Sequence, residues 1–264
     1  MGILNVTPDS FSDGGRFVGP GGVDAEAALR EGLAMAAAGA AVLDVGGEST
    51  RPGAAEVSPA EEVARIEPVV RGLAEAGGCA VSVDTRHAEV ARACLEAGAD
   101  VLNDVAGFRD GAMVEVAAGS TAGCLVMHML GEPRTMQDDP RYGDVVADVK
   151  AWLLRRVETL VDAGVDRDRI AIDPGIGFGK TTAHNLELLR RLPELVATGH
   201  PVVVGASRKR FIGEIAGGGP EERLEGSLAA AVWAAAMGAA AVRVHDVGPT
   251  VRALAVTGAI GGAG

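Results

Sequence analysis

The sequence predicts an α/β fold of the (β/α)8 barrel type, the TIM barrel, and three observations carry that reading. Eight short apolar runs alternate with helical stretches along the 264 residues. The repeat is about 33 residues, so the whole matches the roughly 250 residues such a barrel occupies. A polar or ionic residue follows nearly every apolar run, as expected where strand ends build a site. An open doubly wound sheet is the rival architecture. It would carry a glycine-rich phosphate loop after its first strand, and Asn5-Val6-Thr7-Pro8-Asp9 stands there instead. With no linker or low-complexity stretch, residues 1–264 are expected to form one domain.

The strands are expected at residues 2–6, 41–45, 80–83, 100–103, 124–127, 169–172, 201–204 and 240–244. Each is short, β-branched or apolar, and bounded by Gly, Asp or Pro. A helix is expected after each, from 23–38 and 59–76 through 221–237 to a last one near 249–256, the fourth, around 111–118, being the weakest pattern. Several helices run into an Ala-Gly-Ala-like turn: Ala38-Gly39-Ala40, Ala97-Gly98-Ala99 and Met237-Gly238-Ala239. Glycine there reads as a C-terminal cap.

At 48% hydrophobic and 23% charged, the composition is that of an ordinary globular domain with a large core. Aromatics are 3%, so Ala, Val, Leu and Ile must fill that core. The formal charge of −12 argues against non-specific nucleic-acid binding and against an anionic membrane surface. It leaves room for an anionic substrate held by a local cationic cluster. Cys79, Cys94 and Cys124 are scattered in apolar runs without metal-ligand spacing, which suits buried thiols in a reducing cytoplasm. No basic leader opens the chain and no apolar run approaches spanning length, so a soluble cytoplasmic protein is expected.

The strand ends hold the chemistry. Strand one is followed by Asn5, Thr7 and Asp9, and strand two by Asp44, Glu48, Thr50 and Arg51. Asp84 follows strand three, and strand four carries Asn103 and Asp104. His128 and Asp173 end strands five and six. Ser207, Arg208 and Lys209 follow strand seven, with Arg243, His245 and Asp246 at strand eight. For Asp44, Glu48 and Asp104 a structural hydrogen bond is as good a reading as a functional one. The rest sort into two sets. Arg51, Arg243 and His245, with Lys209 near, suit an anionic group such as phosphate or carboxylate. Asp84, Asn103 and Asp173 offer donors and acceptors for the edge of a flat, nitrogen-rich ring.

The stretch "DPGIGFGKT" imitates a phosphate-binding loop, but the imitation fails. The glycine required four residues before Gly179-Lys180 is replaced by Pro174, which lacks an N–H for an anion. Lys180 is therefore expected at the surface or behind the site.

The segments "MGILNVTPDSFSDGG", "DVGGESTRPGA", "SVDT", "LNDV", "MHMLGEPRTMQ", "DPGIGFGKT", "SRKRFIG" and "RVHDV" resemble dihydropteroate synthase, in order and over nearly the whole chain. The resemblance implies a barrel that joins 6-hydroxymethyl-7,8-dihydropterin pyrophosphate to p-aminobenzoate. The products are 7,8-dihydropteroate and pyrophosphate, in folate biosynthesis. By motif position, Asp84, Asn103, Asp173 and Lys209 would hold the pterin, with Met127 and Phe178 near its faces. Asn5, Arg51, Arg243 and His245 would hold pyrophosphate and Mg2+, with Asn5 on the metal and Thr50 supporting the pocket. Phe11 and Pro52 would wall the aminobenzoate site, where sulfonamides act on this family, and its carboxylate would lie near Ser207, Lys209 and Arg210. Lys209, Asp9, Arg243 and His245 would act on the reacting centre. The glycine-bearing loops of Gly14, Gly15 and Gly53 would close over the substrates. A homodimer through the last two helices is also implied. Two rivals share parts of this pattern: a pterin-binding methyltransferase on the same barrel, and a non-catalytic pterin-binding paralogue.

Overall fold

The computed structural model describes residues 1–7, 18–19, 22–49, 56–133 and 135–262. Six parallel strands form one sheet in chain order: β1 (Gly2–Asn5), β2 (Val42–Gly46), β3 (Ala80–Asp84), β4 (Val101–Asp104), β5 (Gly123–Met127) and β6 (Ile170–Asp173). Two shorter strands, β7 (Val203–Val204) and β8 (Ala241–Val242), pair with each other in parallel. Single parallel bridges join the two groups at both seams, Ile172 with Val202 and Gly2 with Val244. Across those seams Ile172 N–H donates to Pro201 O, and Ile3 N–H to Val244 O, each at 2.9 Å. Each of these eight strands thus has a neighbour on both sides, and the expected barrel closes without an exposed edge.

Ten α-helices are found among the described residues: α1 (Ala25–Ala37), α2 (Pro59–Ala76), α3 (Ala88–Glu96), α4 (Gly111–Ala118), α5 (Val145–Asp162), α6 (Thr182–Arg190), α7 (Pro193–Val196), α8 (Arg210–Ala216), α9 (Leu224–Ala236) and α10 (Val247–Ile260). Side-chain caps start many of them. Asp24, Ser58, Asp110, Asp144 and Thr181 each accept a first-turn N–H, which satisfies donors that have no partner inside the helix. Asp110 is what gives the weakly patterned α4 its start. The sequence reading did not separate out α7 and α8, because helices of 4 and 7 residues are too short to show a helical period. The capping glycines behave as expected: Gly39, Gly98 and Gly238 have φ of 100°, 105° and 96°.

Strand alternation divides the barrel's two faces. Leu43, Val45, Val81, Val83 and Leu102 are fully buried in the main apolar core. The intervening Asp44, Ser82 and Asn103 are also buried but bond to one another, so they form the polar interior of the barrel. No described helix is long and apolar enough to cross a membrane.

Candidate active site

Sheet register assembles the site. Asp84 at the end of β3 pairs in register with Asn103 on β4, and Met127 at the end of β5 pairs with Asp173 at the end of β6. Above these ends lies a cleft of about 470 Å³ whose lining includes Asn5, Asp84, Phe178, Ser207, Lys209, Arg243 and His245. It narrows into an inner recess of about 30 Å³ bounded by Asp84, Asn103, Val105, Met127, Asp173 and Phe178. Asp84, Phe178, Lys209 and Arg243 line both spaces, so recess and cleft are continuous.

The two sets expected from sequence meet at Arg243. Arg243 Nε donates to Asp44 Oδ2 at 2.5 Å, and its Nη2 donates to Asp84 Oδ2 at 2.6 Å. Asp44 also accepts from Ser82 Oγ at 2.6 Å and from Asn103 Nδ2 at 3.0 Å. Arg243 is therefore not simply a member of the cationic set; it is the counter-ion of the polar set as well. Asp44, with no exposed surface, ties β2, β3, β4 and the residue that follows β8 together and takes up the structural role. Asn103 spends its amide N–H on Asp44, which leaves its amide oxygen as an acceptor. Burial raises the Asp84 carboxyl above the ordinary carboxylate range, and the Arg243 guanidinium opposes that. Asp104 serves the backbone, accepting from Ala106 N–H and Phe108 N–H at 2.7 Å each.

Asp173 begins the turn that imitated a phosphate loop. Its Oδ1 accepts from Gly175 N–H at 2.6 Å, and Gly175, Gly177 and Gly179 all have positive φ. Gly175 is obligatory, since a Cβ there would stand 1.9 Å from the His128 carbonyl oxygen. Burial raises the Asp173 carboxyl, opposed by the Gly175 hydrogen bond and by Lys209, Arg243 and Lys180. Phe178 packs with Val105, Met127, Met129 and Met136 to make an apolar wall. The Lys209 ammonium sits 4.0 Å from the centre of the Phe178 ring.

The surface reading of Lys180 is overturned. It is 1% exposed, and its Nζ lies 2.9 Å from both His128 Nδ1 and Phe178 O. The failed phosphate motif showed only that Lys180 does not belong to a phosphate-binding loop; the carbonyls of a folded-back turn leave no periodic signal. At the other end of the cleft Ser207 Oγ accepts from His245 N–H at 3.3 Å and lies 3.0 Å from His245 Nδ1. Arg208 forms a two-pronged pair with Asp246 at 3.0 and 2.7 Å. Arg210 lines the cleft while pairing with Glu214 at 3.0 Å. Asp9, Phe11, Gly14, Gly15, Thr50, Arg51, Pro52 and Gly53 lie outside the described residues.

Two donor sets bear on a metal. Asn5 lines the cleft with a neutral side-chain oxygen, and Mg2+ takes few protein oxygens together with substrate phosphates, so the fit is good. Among the described residues, Glu48, Glu62 and His87 also stand close enough to share an ion. That group suits Mg2+ poorly, because Glu48 is paired with Arg86 at 3.0 Å and His87 offers nitrogen, already 2.8 Å from Glu62.

The family model described as "Pterin binding enzyme" matches residues 1–245. A dihydropteroate synthase of Mycobacterium leprae is 49% identical, over 98% of this chain and 92% of that protein. The chain belongs to the dihydropteroate synthase family. The solved dihydropteroate synthase of Xanthomonas albilineans with 4-aminobenzoic acid is 47% identical, with a TM-score of 0.91 over 99% of this chain and 92% of that one. The Yersinia pestis dihydropteroate synthase in complex with a sulfonamide drug gives a TM-score of 0.95 at 44% identity, over 99% and 94%. This kinship makes the chain a transferase of folate biosynthesis that condenses dihydropterin pyrophosphate with p-aminobenzoate. The methyltransferase and the silent paralogue fall away.

Proposed function

We propose that the family reaction is carried by Asp84, Asn103 and Asp173 as readers of the pterin edge, with Arg243, His245 and Lys209 facing the pyrophosphate and the reacting carbon. The observation that supports this most is the continuity of the recess with the cleft. Asp84, Asn103 and Asp173 floor the narrow end, Lys209 and Arg243 stand where the two spaces meet, and His245 lies in the wide one. A carboxylate at Asp173 accepts N–H groups from the ring's amino-amide edge, and Asn103 supplies the matching amide oxygen. Met127 and Phe178 bound the ring's faces. Pyrophosphate leaves from a carbon beside the electron-rich dihydropterin, and the ring delocalises the cation left behind. The Arg243 edge not committed to Asp44 or Asp84, together with His245, meets the negative charge growing on the leaving oxygens. The neutral aromatic amine then forms the new C–N bond and loses a proton, so no strong base is needed.

Asn5 would hold Mg2+ against the pyrophosphate, where the ion supplies Lewis-acid neutralisation of the leaving group. Asp9, Thr50, Arg51, Phe11 and Pro52 keep the roles their motifs imply, with Ser207 and Lys209 at the aminobenzoate end. The catalytic unit is one domain spanning 1–264. A cytoplasmic setting is supported by free thiols at Cys79, Cys94 and Cys124. Apolar side chains exposed on the adjacent α9 and α10, Trp233, Val256 and Ile260, support a two-fold dimer.

Asp173→Asn tests the pterin assignment. The change keeps size but removes charge and one acceptor, so pterin affinity should fall by roughly 1.5–3 kcal/mol in calorimetry. Unchanged affinity removes Asp173 from the site.

A further inference from the structure

One buried cation is left unused by the reaction above. Lys180 is as buried as the core leucines, and it lies on the same turn whose first residue, Asp173, faces the recess. Its ammonium is fixed by His128 Nδ1 and Phe178 O at 2.9 Å each, with His128 O at 3.5 Å. A lysine ammonium has only donors, so His128 Nδ1 must accept and His128 must be neutral. The turn between is pinned from both sides. Asp173 Oδ1 holds Gly175 N–H, and Lys180 Nζ would stand 3.5 Å from a Cβ placed on Gly175. Gln137 Nε2 and Tyr142 OH close its outer side, donating to Gly177 O at 2.6 Å and Gly179 O at 2.7 Å.

We propose that Lys180 is a positioning residue of the pterin site: its buried ammonium locks the turn 175–179 onto the end of β5 and adds, beside Lys209 and Arg243, a positive charge that favours the ionised form of Asp173 for the ring. The inference rests on the assignment of Asp173 to the pterin. A cation hydrogen-bonded within the protein is screened far less by water and salt than an exposed one. Opposite charges in such a setting favour each other's ionised forms. The neighbouring charges agree. Asp173 favours the Lys180 ammonium, Lys209 opposes it, and burial brings it down to about 7. His128 is pushed down to about 2 by burial and by Lys180, and His184, also lowered by burial and Lys180, adds no competing charge at neutral pH. Lys180 is therefore charged below about pH 7, where it adds to Lys209 and Arg243 in opposing the rise that burial imposes on Asp173.

The test is calorimetry of a 6-hydroxymethylpterin fragment from pH 5.5 to 9 on four proteins: wild type, Lys180→Met, Lys180→Arg and Asp173→Asn/Lys180→Met, with Asp173→Asn alone as reference. The fragment's own titration is common to all and cancels in ratios. Lys180→Met should weaken binding about tenfold at pH 6, with the ratio falling toward one above about pH 8. Lys180→Arg should restore most of the loss at pH 6. In the Asp173→Asn background the Met change should have no pH-dependent effect. A pH-independent loss that survives in that background would overturn the proposal and leave Lys180 a packing residue. A normal affinity for Asp173→Asn alone would instead sink the pterin assignment. If Lys180→Met does not fold, lysine 13C NMR on wild type decides. Lys180 should titrate near pH 7 and respond to Asp173→Asn, whereas an ordinary lysine titration blind to that change contradicts the proposal.

Discussion

Asp44 accepts from Ser82, Asn103 and Arg243 in the barrel interior, and each bond crosses to a different strand. Removing it takes one of the two carboxylate partners of Arg243 and leaves the Ser82 and Asn103 donors unsatisfied. Asp44→Ala should cost about 3–5 kcal/mol in denaturant unfolding, the range for breaking one side of a buried ion pair. A loss under 1 kcal/mol would mean that water replaces the carboxylate. Lys180 gives a stability prediction with its own sign. Its folded-state value, about 7, lies below that of an unfolded lysine, so the unfolded chain binds more protons between the two. Wild-type stability relative to Lys180→Met should therefore rise from about pH 7 to about pH 10 and be flat below. A flat difference throughout would place the ammonium in contact with water. Asp84, Asn103 and Asp173 were legible because each stands where an apolar strand stops. Asp44 was only half legible: strand alternation turns it inward, but nothing local says whether its partners are protein or ligand.

The turn after β6 shows how an element's backbone sets the site. Gly175 has φ of +66° and no room for a Cβ beside His128 O, whereas Gly199 has φ of +86° and open space. Alanine at Gly199 should cost roughly 1–2 kcal/mol, from left-handed backbone alone. Alanine at Gly175 must also push two segments apart, so it should cost clearly more and abolish pterin binding. Comparing the two melting temperatures separates strain from collision, and equal losses would show that the turn gives way. The glycines of this turn were visible in sequence, but their purpose was not. What they allow is the close approach of "DPGIGFGKT" to "MHM", a contact between segments about 45 residues apart. The brevity of β7 and β8 is likewise invisible to pattern reading. Their apolar runs look like the others, yet closure there rests on two-residue strands and single bridges.

At the scale of the whole molecule, the barrel brings cations to one cleft of a protein whose formal charge is −12. The acidic remainder disfavours adventitious polyanions, while the cations at the strand ends leave that cleft open to a small one. The apolar patch on α9 and α10 predicts a dimer at micromolar concentration by light scattering. Trp233→Glu together with Val256→Glu should give a folded monomer, and a wild-type monomer would refute the interface. Barrel class, strand order and the site's location were legible from the spacing of apolar runs and the residues that end them. The joining of the carboxylate and amide set to Arg243 was not, because it links positions 199 and 159 residues apart. The central claim is that this cleft joins a dihydropterin to an arylamine with loss of pyrophosphate. Its most direct test is pyrophosphate release by purified protein given 6-hydroxymethyl-7,8-dihydropterin pyrophosphate, p-aminobenzoate and Mg2+. The account predicts release that requires both substrates, matches dihydropteroate formed mole for mole, and collapses in Arg243→Met. No release, or release without dihydropteroate, would contradict it.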